Sequence, residues 1–422
     1  MIRVKPMPLF RSKRDLTENS ETTIDKLAIR ARNNLWATFF VMGISSMAWV
    51  PRIPEIKDQL GLGDGKFGLI FLAGAFGSVC GSQISGRAIH RIASRKFAQI
   101  CGAIMPIGIF VMGSAHDVRT LVIGLFLTGL TFSALDVAAN VQGMAIENLT
   151  KARYMSSFHA LWSVGAFAVT LFGGALARVI TPQEHLKALA VISAILYLVT
   201  ISGLLPGNLD GHRGESHEVT SAKIPFFAKE AIPLWALGIG LTASFIPEAG
   251  IYDWSGILLK DHMDIGKGLT AIAATTYSLG MIISRFLGDR WFEKWGHQKT
   301  AQYGGYIGGS AIAVGLIAGI PLSSLNKWLA VSIISICFAI AGLCMGPLFP
   351  AFNLAAMSLP GIAPSVGMAR VALIAIAANF FGPALIGGIS ELTTLPISFA
   401  LLAALLFLVG RQARFIKVKS IK

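Results

Sequence analysis

The sequence predicts an all-α membrane protein in which twelve transmembrane helices form two pseudo-symmetric six-helix halves. Three observations predict it. Of 422 residues, 54% are hydrophobic and only 14% are charged, against about 25% charged in ordinary soluble domains. Twelve stretches reach or approach the ~20 apolar residues that one bilayer crossing needs. The chain also matches itself when displaced by 203 residues.

The stretches run Asn34–Val50, Phe67–Ile89, Phe97–Ala115, Leu121–Ile146, Met155–Ala177 and Leu186–Leu205. After a polar gap come Pro233–Leu259, Leu269–Trp291, Thr300–Ile320, Leu325–Ala355, Val366–Ser390 and Leu395–Val409. Backbone groups in lipid must be satisfied within the segment, so runs this long are helices. The implied division is a basic N-terminal arm (1–33), a first bundle (34–206), a central loop (207–232), a second bundle (233–411) and a tail (412–422).

The net charge of +14 could point to nucleic acid, but its distribution points elsewhere. With both termini placed in the cytoplasm, 27 of the 36 Lys and Arg residues fall inside and nine outside. That bias is the positive-inside signal of a multi-pass protein. The expected location is the bacterial cytoplasmic membrane, with the arm available to anionic lipid. Cys80, Cys101, Cys337 and Cys344 sit in apolar stretches without paired spacing, so neither a disulfide frame nor a metal site is expected. The first 30 residues are polar and lack the apolar core of a signal peptide, so the first stretch is expected to be retained.

The internal repeat is ordered. At a shift of 203, Lys57 and Asp58 fall on Lys260 and Asp261, Gly63 and Gly65 on Gly266 and Gly268, Gly77 on Gly280, and Arg87 on Arg290. At a shift of 213, Gly129 meets Gly342, Asn140 meets Asn353 and Gly174 meets Gly387. The ten extra residues fall around Pro321–Lys327. Two parallel halves related by an axis along the membrane normal are a known transporter plan.

The turn after the second stretch reads Gly86-Arg-Ala-Ile-His90-Arg91-Ile-Ala93-Ser94-Arg95-Lys96, and its repeat reads Gly288-Asp289-Arg290-Trp-Phe-Glu293-Lys294-Trp-Gly296. Both resemble the loop pattern G-x-x-x-D-R-x-G-R-R of the major facilitator superfamily, with His90 in place of the acid and Ala93 in place of the second glycine in the first copy. Trp49-Val-Pro51-Arg52-Ile-Pro54, Asp136-Val-Ala-Ala-Asn140-Val-Gln142-Gly143 and Met155-Ser156-Ser157-Phe-His159-Ala-Leu-Trp162-Ser163 narrow the resemblance to a bacterial branch of YbjJ-type inner-membrane proteins. The resemblance implies a cytoplasmic latch in which a helix-end acid meets bases of the other half. Its residues would be Gly86, Arg91, Arg95, Arg153, Asp289, Arg290, Glu293, Lys294, Gly296 and Arg370, with Asp289 or Glu293 meeting Arg153. The same charges also serve as ordinary positive-inside signals.

Ionisable residues inside a membrane are costly and are functional candidates by default. Asp136 and Asn140 share a helical stripe, as do Ser156, His159 and Ser163 in the next stretch. Glu248 and Tyr252 share a third, and Asn353 and Asn379 are further polar candidates. Each stripe reads either as a lining of a water-filled cavity or as hydrogen-bonded contact between helices. Glu147, at headgroup depth, reads as structural.

No G-x-x-x-x-G-K-[ST] phosphate loop is present, and no cofactor or enzymatic domain is expected. The reading is a secondary transporter that moves a small solute by alternating access, with proton coupling through an enclosed carboxylate, Asp136 before Glu248. The alternative is a transporter-like sensor or lipid scramblase without a soluble substrate. Lipid, a small molecule and protons are the expected partners, and nucleic acid is not.

Overall fold

A computed structural model describes residues 13–211, 231–360, 362 and 364–417. The first bundle comprises α1 (Lys13–Ser46), α2 (Ile53–Gln59), α3 (Asp64–Ile92), α4 (Ser94–Met112), α5 (Val118–Thr150), α6 (Met155–Leu176) and α7 (Pro182–Ser202). The second comprises α8 (Ile232–Met263), α9 (Ile272–Val314), α10 (Ile320–Leu322), α11 (Lys327–Met345), α12 (Leu348–Met357), α13 (Pro364–Leu392) and α14 (Leu395–Gln412). Most of the central loop lies outside the described residues.

Local chemistry sets several boundaries. α1 starts well before the expected Asn34, because no glycine or proline interrupts the chain between Lys13 and Met42. It stops at Ser46, short of the expected Val50. Pro51 and Pro54 then force a 3₁₀ turn (Val50–Arg52) and the separate helix α2. At the repeat-related positions α8 carries Trp254 and Ile257, and it runs unbroken for 32 residues. The expected Leu325–Ala355 stretch likewise breaks at Gly346–Pro347 into α11 and α12. Asp117 caps α5 by accepting from the Thr120 N–H at 2.9 Å. Thr181 and Glu184 form a capping box on α7.

Two expected stretches join in α9, which is interrupted by non-helical backbone at Gly296 (φ 76°, ψ 160°). The extra ten residues of the second half fall where a π turn (Gly315–Gly319) runs into α10. Among the described residues, nine helical segments are long and apolar enough to cross a membrane, and one of them, Ile272–Leu322, contains the Gly296 break. Large apolar side chains such as Phe172, Leu198 and Phe286 are 65%, 74% and 66% exposed, as lipid-facing residues are.

α1 and α3–α7 pack on one another, as do α8, α9 and α11–α14, and the two sets meet along α3 with α13 and α6 with α9. The repeat recurs as close helix crossings. A Cβ on Gly77 or Gly129 would strike a carbonyl across the α3–α5 contact, and one on Gly280 or Gly342 would do so across α9–α11.

Candidate functional site

The end of the bundle bearing the 86–96 turn is called inner here, after the charge bias, and the end bearing Lys57 and Lys260 outer. At the outer end the halves are tied. Lys57 Nζ lies 2.6 Å from Asp64 and 3.3 Å from Asp261 of the other half, and Lys260 pairs with Asp58. Glu391 accepts from the Gly65 N–H at 3.0 Å, and Ser390 donates to Asp64. The Lys-Asp pair read as a repeat thus exchanges partners across the pseudo-twofold. Burial works to lower the Lys57 ammonium, but the hydrogen bond and charge of Asp64, with Asp261, outweigh it and hold it above the ordinary lysine value of 10.5. Fully buried Arg52 pins this end further, donating to His185 Nδ1 at 3.1 Å and to Glu55 at 2.8 Å.

A cavity of about 420 Å³ lies between the halves, with walls from both. α6 supplies Ser156 and His159, α8 supplies Ser244 and Glu248, and α9 supplies Arg285 and Asp289. Arg285 is the residue that crosses. Its Nη1 donates to the His159 carbonyl at 3.0 Å and to Ser163 Oγ, and its guanidinium lies 5.9 Å from the Trp162 ring. Among the described residues, the rest of the guanidinium edge makes no protein hydrogen bond, and the Glu248 carboxylate makes none either. Tyr252, one turn beyond Glu248, is buried, accepts from Ser278 at 3.0 Å and meets Tyr277 edge-on at 5.3 Å.

The structure therefore brings together Ser156, His159, Ser163, Glu248 and, behind them, Tyr252. It does not bring Asp136, Asn140 or Asn353 to this cavity. Asn140 donates to the Asp136 carbonyl at 2.8 Å, one turn back in the same helix, and Asn353 is partly buried in α12. The side chain of Asn379 lies outside the described residues. Much of the 155–163 motif is packing against α1: Ser157 accepts from Trp36 Nε1 at 2.8 Å, and Phe158 stacks on Phe39 at 5.6 Å. Glu147 accepts from the Met155 N–H at 2.8 Å and so closes the α5–α6 turn.

At the inner end Asp289, Glu293 and Arg153 are exposed and form no ion pair with one another. Arg91, Arg290 and Lys294 are exposed too, and Arg370 is partly buried. Arg95 donates to the Ser202 carbonyl, and Gly86 has open space around its Cα. A buried knot holds the first turn. Asp210 accepts from the Ser94 N–H at 2.8 Å and the Ser94 hydroxyl at 2.6 Å, and Gln142 donates to Ser94 at 2.8 Å and to the Leu205 carbonyl at 3.1 Å.

Sequence reasoning missed Arg285 and the outer ties. A signal for Arg285 exists: it is the single charge in the run from Leu269 to Gly288, and a lone intramembrane charge marks a site. Counting it only toward the inside charge hides it.

A family model described as Major Facilitator Superfamily matches residues 35–367. An uncharacterized MFS-type transporter of Yersinia pestis is 26% identical over 380 residues, covering 89% of this chain and 93% of the relative. An uncharacterized transporter of Sinorhizobium fredii is 27% identical over 384 residues, covering 90% and 95%. Among solved structures, a mutant of the nucleoside transporter NupG superposes with a TM-score of 0.71 at 11% identity, covering 92% of this chain and all 100% of that one. A bacterial homolog of the human lysosomal transporter Spinster, inward-facing and occupied, gives 0.65 at 15% identity, covering 91% and 95%. At these identities the structural likeness concerns the fold.

Proposed function

The chain belongs to the Major Facilitator Superfamily, and from that premise we propose that it is a secondary transporter moving a small solute by alternating access. Units 34–206 and 233–411 rock about the cavity between them, joined by the 207–232 loop. Reading Ile272–Leu322 as two crossings, and adding α1 and α13, brings the nine candidate spans to twelve. Both termini then lie in the cytoplasm of a bacterial cell, with the 1–33 arm and the 412–422 tail. The outer ties, and the separation of Asp289 and Glu293 from Arg153, support an outward-closed, inward-facing state.

The observation that carries the reading is Arg285. It spans from α9 to α6 at the cavity wall while keeping part of its guanidinium free, so a solute and the opposite half compete for one group. Such competition couples occupancy to rocking, because a ligand shifts an equilibrium only by binding its states differently. Glu248, in the same cavity, is the acid best placed to exchange a proton with it. Asp136 is a second coupling candidate, remote from the cavity. Proteoliposomes loaded with sugars, amino acids, amines and small drugs should show saturable flux of at least one solute, lost in Arg285→Ala. Flux unchanged in that variant would remove the cavity from the transport path.

A further inference from the structure

A second cavity, of about 250 Å³, lies beside the first toward the outer end, where α8 contributes Asp253. Asp253 stands ten residues before the end of α8 at Met263, about 15 Å along the helix. Among the described residues its carboxylate has no hydrogen-bond or ion-pair partner, and no Lys, Arg or His is among those lining the cavity.

The hydroxyls around it offer no donor. Ser78 donates to the Gly74 carbonyl at 3.0 Å, Thr128 to the Gly124 carbonyl at 2.8 Å, and Ser46 to the Gly43 carbonyl at 3.3 Å. Ser45 donates to Ser193 at 3.2 Å. A hydroxyl has one hydrogen and two lone pairs, so each presents only acceptor capacity to the cavity. Of the other lining side chains only the Trp49 indole N–H is an uncommitted donor, and one neutral donor does not satisfy a carboxylate, so a charged Asp253, short of taking up a proton, gains most from an arriving cation.

The remaining walls choose between cations. Trp49 and Phe71, 5.1 Å apart between ring centres, give aromatic surface. Ile109, Met112 and Leu125 give aliphatic surface. A bare alkali ion wants oxygen on all sides and little room, whereas this space is several times the ~30 Å³ share of one water. An organic cation instead uses the carboxylate, the lone pairs, the rings and the apolar wall together.

We propose that this cavity binds the ammonium group of a small organic amine, with Asp253 as its counter-ion. Only the corollary that the amine is cargo rests on the transporter reading; the binding itself does not.

The test uses the full chain purified in detergent, where no flux is read. Cyclohexylammonium chloride, cyclohexanol and sodium chloride are titrated against thermal unfolding and tryptophan fluorescence. The ammonium ion should stabilise the wild-type protein with a saturating midpoint at least about tenfold lower than cyclohexanol, the difference of one favourable charge contact. Asp253→Asn should lose that preference. Equal affinity for ammonium and alcohol in the wild-type protein overturns the assignment even if the variant does not fold. So does a shift with sodium chloride matching that with the ammonium salt, or an undiminished preference in Asp253→Asn. Binding in detergent without amine flux in proteoliposomes would support the site and overturn only the cargo corollary.

Discussion

Ala93 and Gly296 hold the same place in the two halves and share one backbone shape, φ 71°, ψ 154° at Ala93 and φ 76°, ψ 160° at Gly296. Only the second is a residue that adopts this region without strain. At Ala93 the shape is held by the neighbouring Ser94–Asp210–Gln142 hydrogen bonds. Without them a helix-forming alanine would continue α3 into α4.

Ala93→Gly should therefore stabilise the protein, by about 1 kcal/mol, and Gly296→Ala should destabilise it by a similar amount. Thermal unfolding in detergent reads both. A loss of stability in Ala93→Gly would mean that the methyl group contributes more through packing than the backbone loses.

The outer ties predict a conformational bias. Replacing Lys57 and Lys260 together by Met removes both exchanged pairs, each worth about 0.2–1 kcal/mol at a partly exposed site. The outward-facing population should rise by a few-fold, read as labelling of Ser46→Cys by an impermeant thiol reagent from the outer side. Reversing one pair instead, with Asp58→Lys and Lys260→Asp, should restore closure in part. Because the Lys57 ammonium is held above its ordinary value of 10.5, its contribution is complete at neutral pH. It is lost as pH rises from 10.5 through that raised value. Labelling that is unchanged in the Lys57→Met, Lys260→Met protein would show that helix packing alone closes this end.

Arg285→Lys tests the crossing contact. Lysine keeps the charge but not the fork that reaches His159 and Ser163 while leaving an edge free. Losing a charge-assisted hydrogen bond of about 1.5–3 kcal/mol should lower transport by about tenfold to a hundredfold, with little change in unfolding temperature. Wild-type flux in Arg285→Lys would make the residue a simple positive charge.

Two carboxylates compete for the coupling role. Glu248 faces the cavity, and Asp136 neighbours Asn140 away from it. Glu248→Gln should abolish gradient-driven accumulation while sparing exchange, and Asp136→Asn should reduce it less. The reverse order, measured in the same vesicles at matched expression, would restore Asp136 as the coupling acid.

The sequence by itself determined the membrane class, the helical spans and the twofold repeat. Apolar run length and backbone satisfaction in lipid leave one architecture for such a chain. The same local chemistry makes Pro51, Pro54 and Pro347 readable as breaks, although the long apolar Leu325–Ala355 run conceals the last. Polar stripes are legible too, since helical spacing is local; hence Ser156, His159 and Glu248 stand out from the sequence alone. Spacing along one helix does not say which neighbour that helix turns toward. Only the tertiary structure set Arg285 against Ser163, took Asp136 away from His159, left Asp289 and Arg153 apart, and paired Lys57 with Asp261. The position of Asp136 depends on how α5 turns within its own bundle, and the other three relationships depend on how two bundles dock, between residues more than a hundred positions apart; no periodicity within a span encodes either.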